Sequence, residues 1–291
     1  MRVEEAVGRL WPGQPVNVEA LRVEALRGGI TNHNFKVVVD GDVLVLRIGG
    51  KDTGLLGIDR EHEHEAALMA ARLGIGPEVV VFADGVLVTR FVEGEVGRAD
   101  PAAVGVLLKR LHGAPAVAGR FDSFRVVEAY AATATGHGRS LPDPYGPAHE
   151  LACQIEARRA AAPVVTCHND LLAANFIDDG ERIWVVDWEY AGMGDPFFDL
   201  GNVSVNHDLT SDEDAVLLEA YEGSVRRPRL ARLGLMRIVS DFREAMWGVL
   251  QQGISTLDVN FVAYAREHFE RLLRNAATPG FERSLREAAG G

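Results

Sequence analysis

Apolar and polar residues alternate through roughly the first 90 positions, then give way to apolar residues every three or four. Residues 3–11 have the spacing of a short amphipathic helix, which Pro12-Gly13 ends. Residues 18–26 alternate and stop at Gly28-Gly29, and β-rich runs at 35–39 and 43–48 flank Asp40-Gly41-Asp42, a hairpin signal. Asp59 suits the N-cap of a helix running through Glu61, Ala66, Leu68, Met69 and Ala71 to Gly74. Two more strands, 78–82 and 86–91, meet at Ala83-Asp84-Gly85. The pattern predicts a five-stranded antiparallel sheet with one inserted helix.

Helical spacing dominates from Asp100-Pro101, an N-cap followed by proline at the first helical position, with Val104, Leu107, Leu108 and Leu111 as its stripe up to His112-Gly113. Residues 115–147 are rich in glycine and proline, and only a helix near 126–133 is legible there. Ser211-Asp212-Glu213-Asp214 resembles a capping box for a helix through Leu217, Leu218 and Tyr221. Long helical periods cover 230–252 and 259–275, and the last residues read as frayed. The expected class is α+β and two-lobed, with lobes at 1–91 and 95–291 and a hinge at about 89–94.

Composition adds bounds. With 291 residues, 47% of them apolar and 25% charged, the chain can bury large cores. It has no run near the ~20 apolar residues of a membrane span. The acidic start, Met1-Arg2-Val3-Glu4-Glu5, is unlike a signal peptide. Two cysteines, Cys153 and Cys167, are too few for a disulfide framework, so a cytoplasmic setting is expected. Net charge of −12 argues against nucleic acid or an anionic membrane as partner. It is compatible with a cationic substrate, although simple solubility explains it better.

The chemistry concentrates in His168-Asn169-Asp170-Leu171-Leu172-Ala173-Ala174-Asn175 and in Asp187, which follows the apolar run 183–186. Asp170 precedes Asn175 by five residues and Asp187 by seventeen, room for one short hairpin. Kinases use this order: an Asp accepts the acceptor hydroxyl's proton, and an Asn and a later Asp hold magnesium. Upstream, between the first two strands, Gly28, Gly29, Thr31, Asn32 and Asn34 form a glycine-led loop suited to phosphate oxygens. Arg47 in the third strand is the candidate phosphate-binding cation, with Glu63 its partner, because Glu61 and Glu65 share a different helix face. His62 and His64 diverge on that helix and make no metal site. His168 reads as a scaffold for the loop, and Cys167 as a small buried residue.

These segments resemble the choline/ethanolamine kinases, within the aminoglycoside-phosphotransferase-like group of the protein-kinase-like fold. The resemblance extends over most of the chain: residues 28–35, Val45-Leu46-Arg47-Ile48, 60–63, Leu73-Gly74-Ile75-Gly76-Pro77, 168–175, Val186-Asp187-Trp188-Glu189-Tyr190 and 195–202. Trp247-Gly248, Gln251, Ile254-Ser255 and Tyr264-Ala265 are similar to its C-terminal helices. It implies ATP- and Mg2+-dependent phosphorylation of a small amino alcohol, choline or ethanolamine. Thr89 and Phe91 would belong to a hinge meeting the adenine edge, with ATP between the lobes. Asn175 and Asp187 would bind Mg2+, and Asp170 would be catalytic. Glu189, Tyr190, Asp195, Trp247 and Tyr264 would contact the acceptor, with core packing the alternative for Trp247. Residues 257–261 depart from the family's acid-and-aromatic pattern, and Asn206 stands where an acid is frequent, so the implied cage is thin. Kinases for an aminoglycoside, thiamine or a sugar, and a non-catalytic nucleotide-binding protein, are the alternatives. A protein kinase is disfavoured, because no Ala-Pro-Glu follows Asp187. Monomer and homodimer both stay open.

Overall fold

A computed structural model describes residues 3–10, 22–26, 32–50, 53–159, 163–255 and 257–289. Gly28, Gly29 and Thr31 of the expected phosphate loop, and the Pro12-Gly13 stop, lie outside the described residues. The chain divides into two compact units, Met1–Gly97 with Ala174–Glu189, and Arg98–Ala173 with Tyr190–Gly291. Residues 174–189 therefore group with the first unit, although their place in the chain put them in the 95–291 lobe.

In the first unit, α1 (Val3–Leu10) precedes β1 (Arg22–Ala25), β2 (Asn32–Val39) and β3 (Asp42–Gly49), and α2 (Arg60–Leu73) precedes β4 (Val79–Ala83) and β5 (Val86–Arg90). The five strands are antiparallel in the order β1-β2-β3-β5-β4. Strand periodicity sorts their residues onto two faces. Leu44, Leu46 and Ile48 join Val37, Val39, Val86 and Val88 in a core closed by Val3, Ala6 and Leu10 of α1. Val45 and Arg47 must then face the other way, where Asn34 pairs with Arg47 in register and Leu87 opposes it.

The Asp59 side chain caps α2 by accepting from the Glu61 and His62 amides, and Gly74, at φ 65°, ends it. Glu63, Ala66, Ala67 and Ala70 form the buried stripe of α2 at helical spacing, which carries Glu63 inward. His64 stacks on Phe82 at 4.3 Å. The unit is completed by β6 (Glu95–Val96), β8 (Phe176–Asp178) and β9 (Ile183–Val185), a small antiparallel sheet in the order β6-β8-β9.

The second unit is mainly helical: α3 (Pro101–His112), α4 (Ser123–Gly136), α5 (Tyr145–Arg158), α6 (Pro196–Asn206), α7 (Ser211–Glu222), α8 (Arg227–Ile254), α9 (Phe261–Ala276) and α10 (Pro279–Ala288). The strands β7 (Val165–Cys167) and β10 (Gly192–Gly194) pair antiparallel. Its spine is α8, buried almost continuously from Ala231 to Gln251 and packed by α4, α6, α9 and α10. Glycine permits two of those approaches. A Cβ on Gly201 would stand 2.6 Å from the Met236 carbonyl carbon, and one on Gly248 would stand 2.9 Å from the Tyr264 ring. No helix among the described residues is long and apolar enough to cross a membrane.

Three expectations need correction. The stretch 115–147 holds all of α4, longer than the helix expected near 126–133 and capped by Asp122, and also the start of α5. The capping box belongs to Thr210, one residue earlier than expected: its hydroxyl accepts from the Glu213 amide and Glu213 Oε2 accepts from the Thr210 amide. Close to the end, Pro279–Ala288 form α10, which buries Phe281, Leu285 and Ala288 at i, i+4 and i+7, while Gly290 and Gly291 lie outside the described residues.

His207 follows α6, and its Nδ1 accepts from the Ala99 amide at 3.4 Å. Burial and then the Arg98 charge push its pKa down to about 4, against a backbone bond from Leu171 that acts the other way. The unfolded chain therefore takes up a proton near pH 6.5 that the folded chain refuses. This contribution to stability is complete above that pH and is lost as pH falls toward 4. Between pH 7 and 5 it amounts to roughly 1–2 kcal/mol. Urea unfolding at both pH values should show His207→Gln losing less stability on acidification than the wild type by about that amount.

Candidate active site

In the first unit, β3 delivers Arg47 to a cluster of three carboxylates. Its Nε lies 2.7 Å from Glu63 Oε1 of α2, and its Nη2 lies 3.2 Å from Glu189 Oε2. Nη2 also donates to Asp187 Oδ1. The structure thus makes the Arg47–Glu63 pair that the helix face suggested. Burial opposes the Arg47 charge, but Asp187, Glu63 and Glu189 outweigh it and hold the pKa well above its ordinary value. A second guanidinium braces the group. Arg60 Nη1 reaches Glu63 Oε2 at 2.6 Å and Glu189 Oε2 at 3.4 Å, and its Nη2 donates to Asn32 Oδ1 at 2.7 Å. Asn32 Nδ2 then donates to Glu189 Oε2 at 2.7 Å.

Glu189 therefore stands with the arginine cluster, a correction to its expected place at the acceptor. Sequence adjacency to Tyr190 misled, because the chain passes from one unit to the other between these two residues. Burial and then the Asp187 charge push the Glu189 carboxyl up to about 7, against the pull of Arg47.

A cavity of about 330 Å³ opens beside this cluster. Its apolar walls include Leu26, Val45, Ala67, Leu87 and Ile177, and its polar lining includes Asn34, Arg47, Glu63, Arg90, Asn175 and Asp187. Thr89 and Phe91, the expected hinge residues, line the same cavity. Asp187 has φ 68°, a left-handed conformation costly for a residue with a side chain and frequent where function demands an orientation. The amide of Val186 next to it donates to the Asn175 carbonyl at 3.0 Å, tying the two candidate metal ligands together.

In the second unit, β7 ends in a turn whose Asn169 has φ 66°. The amides of His168 and Asn169 donate to Asp199 Oδ2 and Oδ1 of α6, each at 2.8 Å. His112 Nε2 meets the same Oδ2 at 3.1 Å, and its Nδ1 meets the Tyr221 hydroxyl at 2.8 Å. Further on, Leu171 N–H donates to Asn202 Oδ1, and Asn202 Nδ2 donates to Ser240 Oγ at 2.8 Å. The Asp170 amide donates to His168 Nδ1 at 3.2 Å, so the histidine is a scaffold. His112, Cys167 and Asp199 lie near enough to share a metal ion, but both Asp199 oxygens already accept backbone amides. Burial and the charge of Asp199 push the Cys167 thiol well up, so it stays protonated.

The Asp170 carboxylate meets a group supplied by α8 and α9. Arg243 Nη1 donates to Asp170 Oδ1 at 2.9 Å and to Glu244 Oε1 at 2.6 Å. The Arg243 guanidinium lies 4.3 Å above the Tyr190 ring centre. Trp247 Nε1 donates to the Tyr190 hydroxyl at 3.0 Å, and the Tyr264 hydroxyl donates to Glu244 Oε2 at 2.7 Å. Tyr190, Trp247 and Tyr264, three expected acceptor residues, thus share one cluster with Asp170. Asp195, the fourth from this unit, caps α6 through the Phe197 amide and is bridged by Arg159 at 2.6 Å and Arg232 at 2.7 Å. Its carboxylate is committed to those partners.

Residues 22–233 match the phosphotransferase enzyme family. The chain belongs to that family. A choline/ethanolamine kinase family protein from Mesorhizobium loti, known from its crystal structure, is 33% identical over 100% of both chains, with a TM-score of 0.84. At that coverage this phosphotransferase falls within the choline/ethanolamine kinase family as well, and its fold is the expected α+β, protein-kinase-like one. Protein LicA of Haemophilus influenzae is 29% identical over 214 residues, which are 67% of this chain and 61% of LicA. Mouse ethanolamine kinase 2 is 33% identical over 134 residues, 39% of this chain and 35% of that enzyme. The chain thus spans less than two thirds of the length of either.

Arg243, Glu244, Arg60 and Asp199 were missed as site residues by sequence reasoning. One signal was available for the first two. They are adjacent charges in the apolar run Phe242 to Trp247, where every residue is buried. Charges at such positions are rare without a partner.

Replacing Asp199 by Ala would leave two buried amides and His112 without their acceptor. The expected loss is about 2–4 kcal/mol in urea unfolding. Tyr221→Phe, which removes only the outer bond to His112, should cost about 1 kcal/mol.

Proposed function

We propose that this phosphotransferase moves the γ-phosphoryl group of ATP, with Mg2+, to the hydroxyl of a small amino alcohol such as ethanolamine or choline. The carrying observation is the Arg47–Glu63 pair in the wall of the cavity that also presents Asn175 and Asp187. An apolar slot bounded by Thr89 and Phe91 suits a purine, and the adjoining cation suits its phosphates. Asn34 adds an amide group to that side, together with Gly28, Gly29 and Thr31 as assigned from sequence, while Asn32 braces Glu189 and Arg60 behind it. Asn175 and Asp187 offer an amide and a carboxylate oxygen, the hard donors that Mg2+ prefers, and would hold it. When bound, the ion would neutralise charge on the phosphate oxygens.

The acceptor side belongs to Asp170, Tyr190, Trp247 and Tyr264. Asp170 orients the hydroxyl and takes its proton late, since the transition state is loose and little basicity is needed early. Arg243 Nη1 donates to Asp170 Oδ1 at 2.9 Å and so helps to hold the carboxylate in one direction. Glu244 also accepts from Arg243, so two carboxylates face one guanidinium on the side proposed to meet an ammonium substrate. The relatives support the amino-alcohol class, since one is named an ethanolamine kinase and another a choline/ethanolamine kinase family protein. Unpaired thiols at Cys153 and Cys167 are in keeping with a cytoplasmic setting. A net charge of −12 is unsuited to a nucleic-acid partner.

An ADP-release assay with ethanolamine, choline, an aminoglycoside, thiamine and sugars tests this reading. Acceptor-dependent ADP release with an amino alcohol is expected, abolished by EDTA, and release only with another acceptor class would overturn it. Asp170→Ala should lower transfer about 10²–10⁴-fold while ATP still binds; lost ATP affinity with turnover intact would refute the assignment. Asp187→Ala should remove the magnesium-dependent part of nucleotide binding, read by calorimetry with and without Mg2+.

A further inference from the structure

We infer that Arg243 sets which ammonium group the acceptor cluster around Asp170 takes: its guanidinium holds the Tyr190 face that a quaternary ammonium would need, so the cluster selects primary over quaternary amino alcohols. The inference rests on the amino-alcohol reading above and specifies its acceptor.

Burial is the first observation. Arg243 is 1% exposed near the middle of α8, and desolvating a cation there is costly unless partners compensate. Only Nη1 has hydrogen-bond partners, Asp170 and Glu244, while Nε and Nη2 make none among the described residues. A guanidinium with two buried, unbonded nitrogens is a poor device for stability, which points to a role in the site. What positions it besides the two carboxylates is the Tyr190 ring, 4.3 Å away, with Phe121 further off at 6.0 Å.

Charge is the second. Two carboxylates face one guanidinium, so the cluster favours a further cation. The chemistry of the remaining partners then decides which cation fits. A quaternary ammonium has no N–H and is recognised by aromatic faces. Here the Tyr190 face already carries a cation, and Trp247 meets Phe261 and Tyr264 edge-on at 5.7 and 5.6 Å. The indole N–H is spent on Tyr190 and the Tyr264 hydroxyl on Glu244. Carboxylate oxygens are what the cluster offers, each with more than one lone pair, and they reward a cation with N–H donors. A primary ammonium brings three.

Two measurements test this. Steady-state kinetics with ethanolamine, its mono- and dimethyl derivatives and choline should show wild-type kcat/KM falling with each methyl, at least about tenfold overall. Arg243→Met, which keeps the packing volume, and Arg243→Ala, which opens space, should shift the choline-to-ethanolamine ratio at least about tenfold toward choline. The shift should lie mainly in KM, while kcat falls for every acceptor because Asp170 loses its anchor. Arg243→Lys should retain the wild-type preference. Independently of turnover, calorimetry with tetramethylammonium chloride should detect binding to the Met and Ala variants and none to the wild type at millimolar ligand. Wild-type binding of tetramethylammonium, a wild-type preference for choline, or an unchanged ratio in both variants would overturn the inference. If no amino alcohol is a substrate, the functional reading fails, and the tetramethylammonium titration still decides the role of Arg243. If Arg243→Ala does not fold, Arg243→Met carries the comparison.

Discussion

One buried carboxylate organises the second unit. Asp199, fully excluded from solvent, accepts the amides of two successive residues, His168 and Asn169, at 2.8 Å each. Two parallel charge-assisted bonds to one carboxylate leave the turn little rotational freedom and hold Asn169 at its positive φ. Asp170, the next residue, inherits its direction from that turn. Asn202, one helical turn further along α6, takes the Leu171 amide, so a single helix face grips four residues of chain. His112 and Tyr221 continue the network into α3 and α7. A carboxylate so deeply buried needs such partners, and here two amides donate to it while His112 meets it at 3.1 Å.

The first unit meets its own demand by simpler means. Sheet alternation places Leu44, Leu46 and Ile48 under α1 and therefore puts Arg47 on the opposite face, beside the cavity. The buried stripe of α2 does the same for Glu63. Neither charge could be buried alone, and together with Asp187, Glu189 and Arg60 they form a network in which each carboxylate has a cationic neighbour. Three carboxylates stand against two guanidiniums there, and burial, then the Asp187 charge, raises the Glu189 pKa although both guanidiniums face it.

Helix α8 combines both strategies. It is a packed spine along most of its length, yet it carries Ser240, Asp241, Arg243 and Glu244 in the interior. Asp241 is answered by Arg271 and His268 of α9, Arg243 by Asp170 and Glu244, and Glu244 by Tyr264. Polar groups inside a rigid helix keep their geometry without help from solvent, which suits a site that must present one carboxylate in one direction.

Much of this was legible in the residues themselves. Alternation gave the five strands, Asp59 and Gly74 bounded α2, and the spacing of Asp170, Asn175 and Asp187 marked the chemistry, because these features depend on near neighbours in the chain. Cap position and the helices within 115–147 were harder, since Thr210 and Ser211 are both good caps and glycine-rich connectors hide short helices. Glu189 and Asp195 show where local reasoning ends. Each neighbours a functional residue in sequence, and only tertiary contacts commit one to Arg47 and the other to Arg159 and Arg232. The sequence by itself determined the elements and the reactive carboxylates. Tertiary structure decided the partners, because a buried charge takes its role from whichever opposite charge packing brings within reach, and no local pattern encodes that distance.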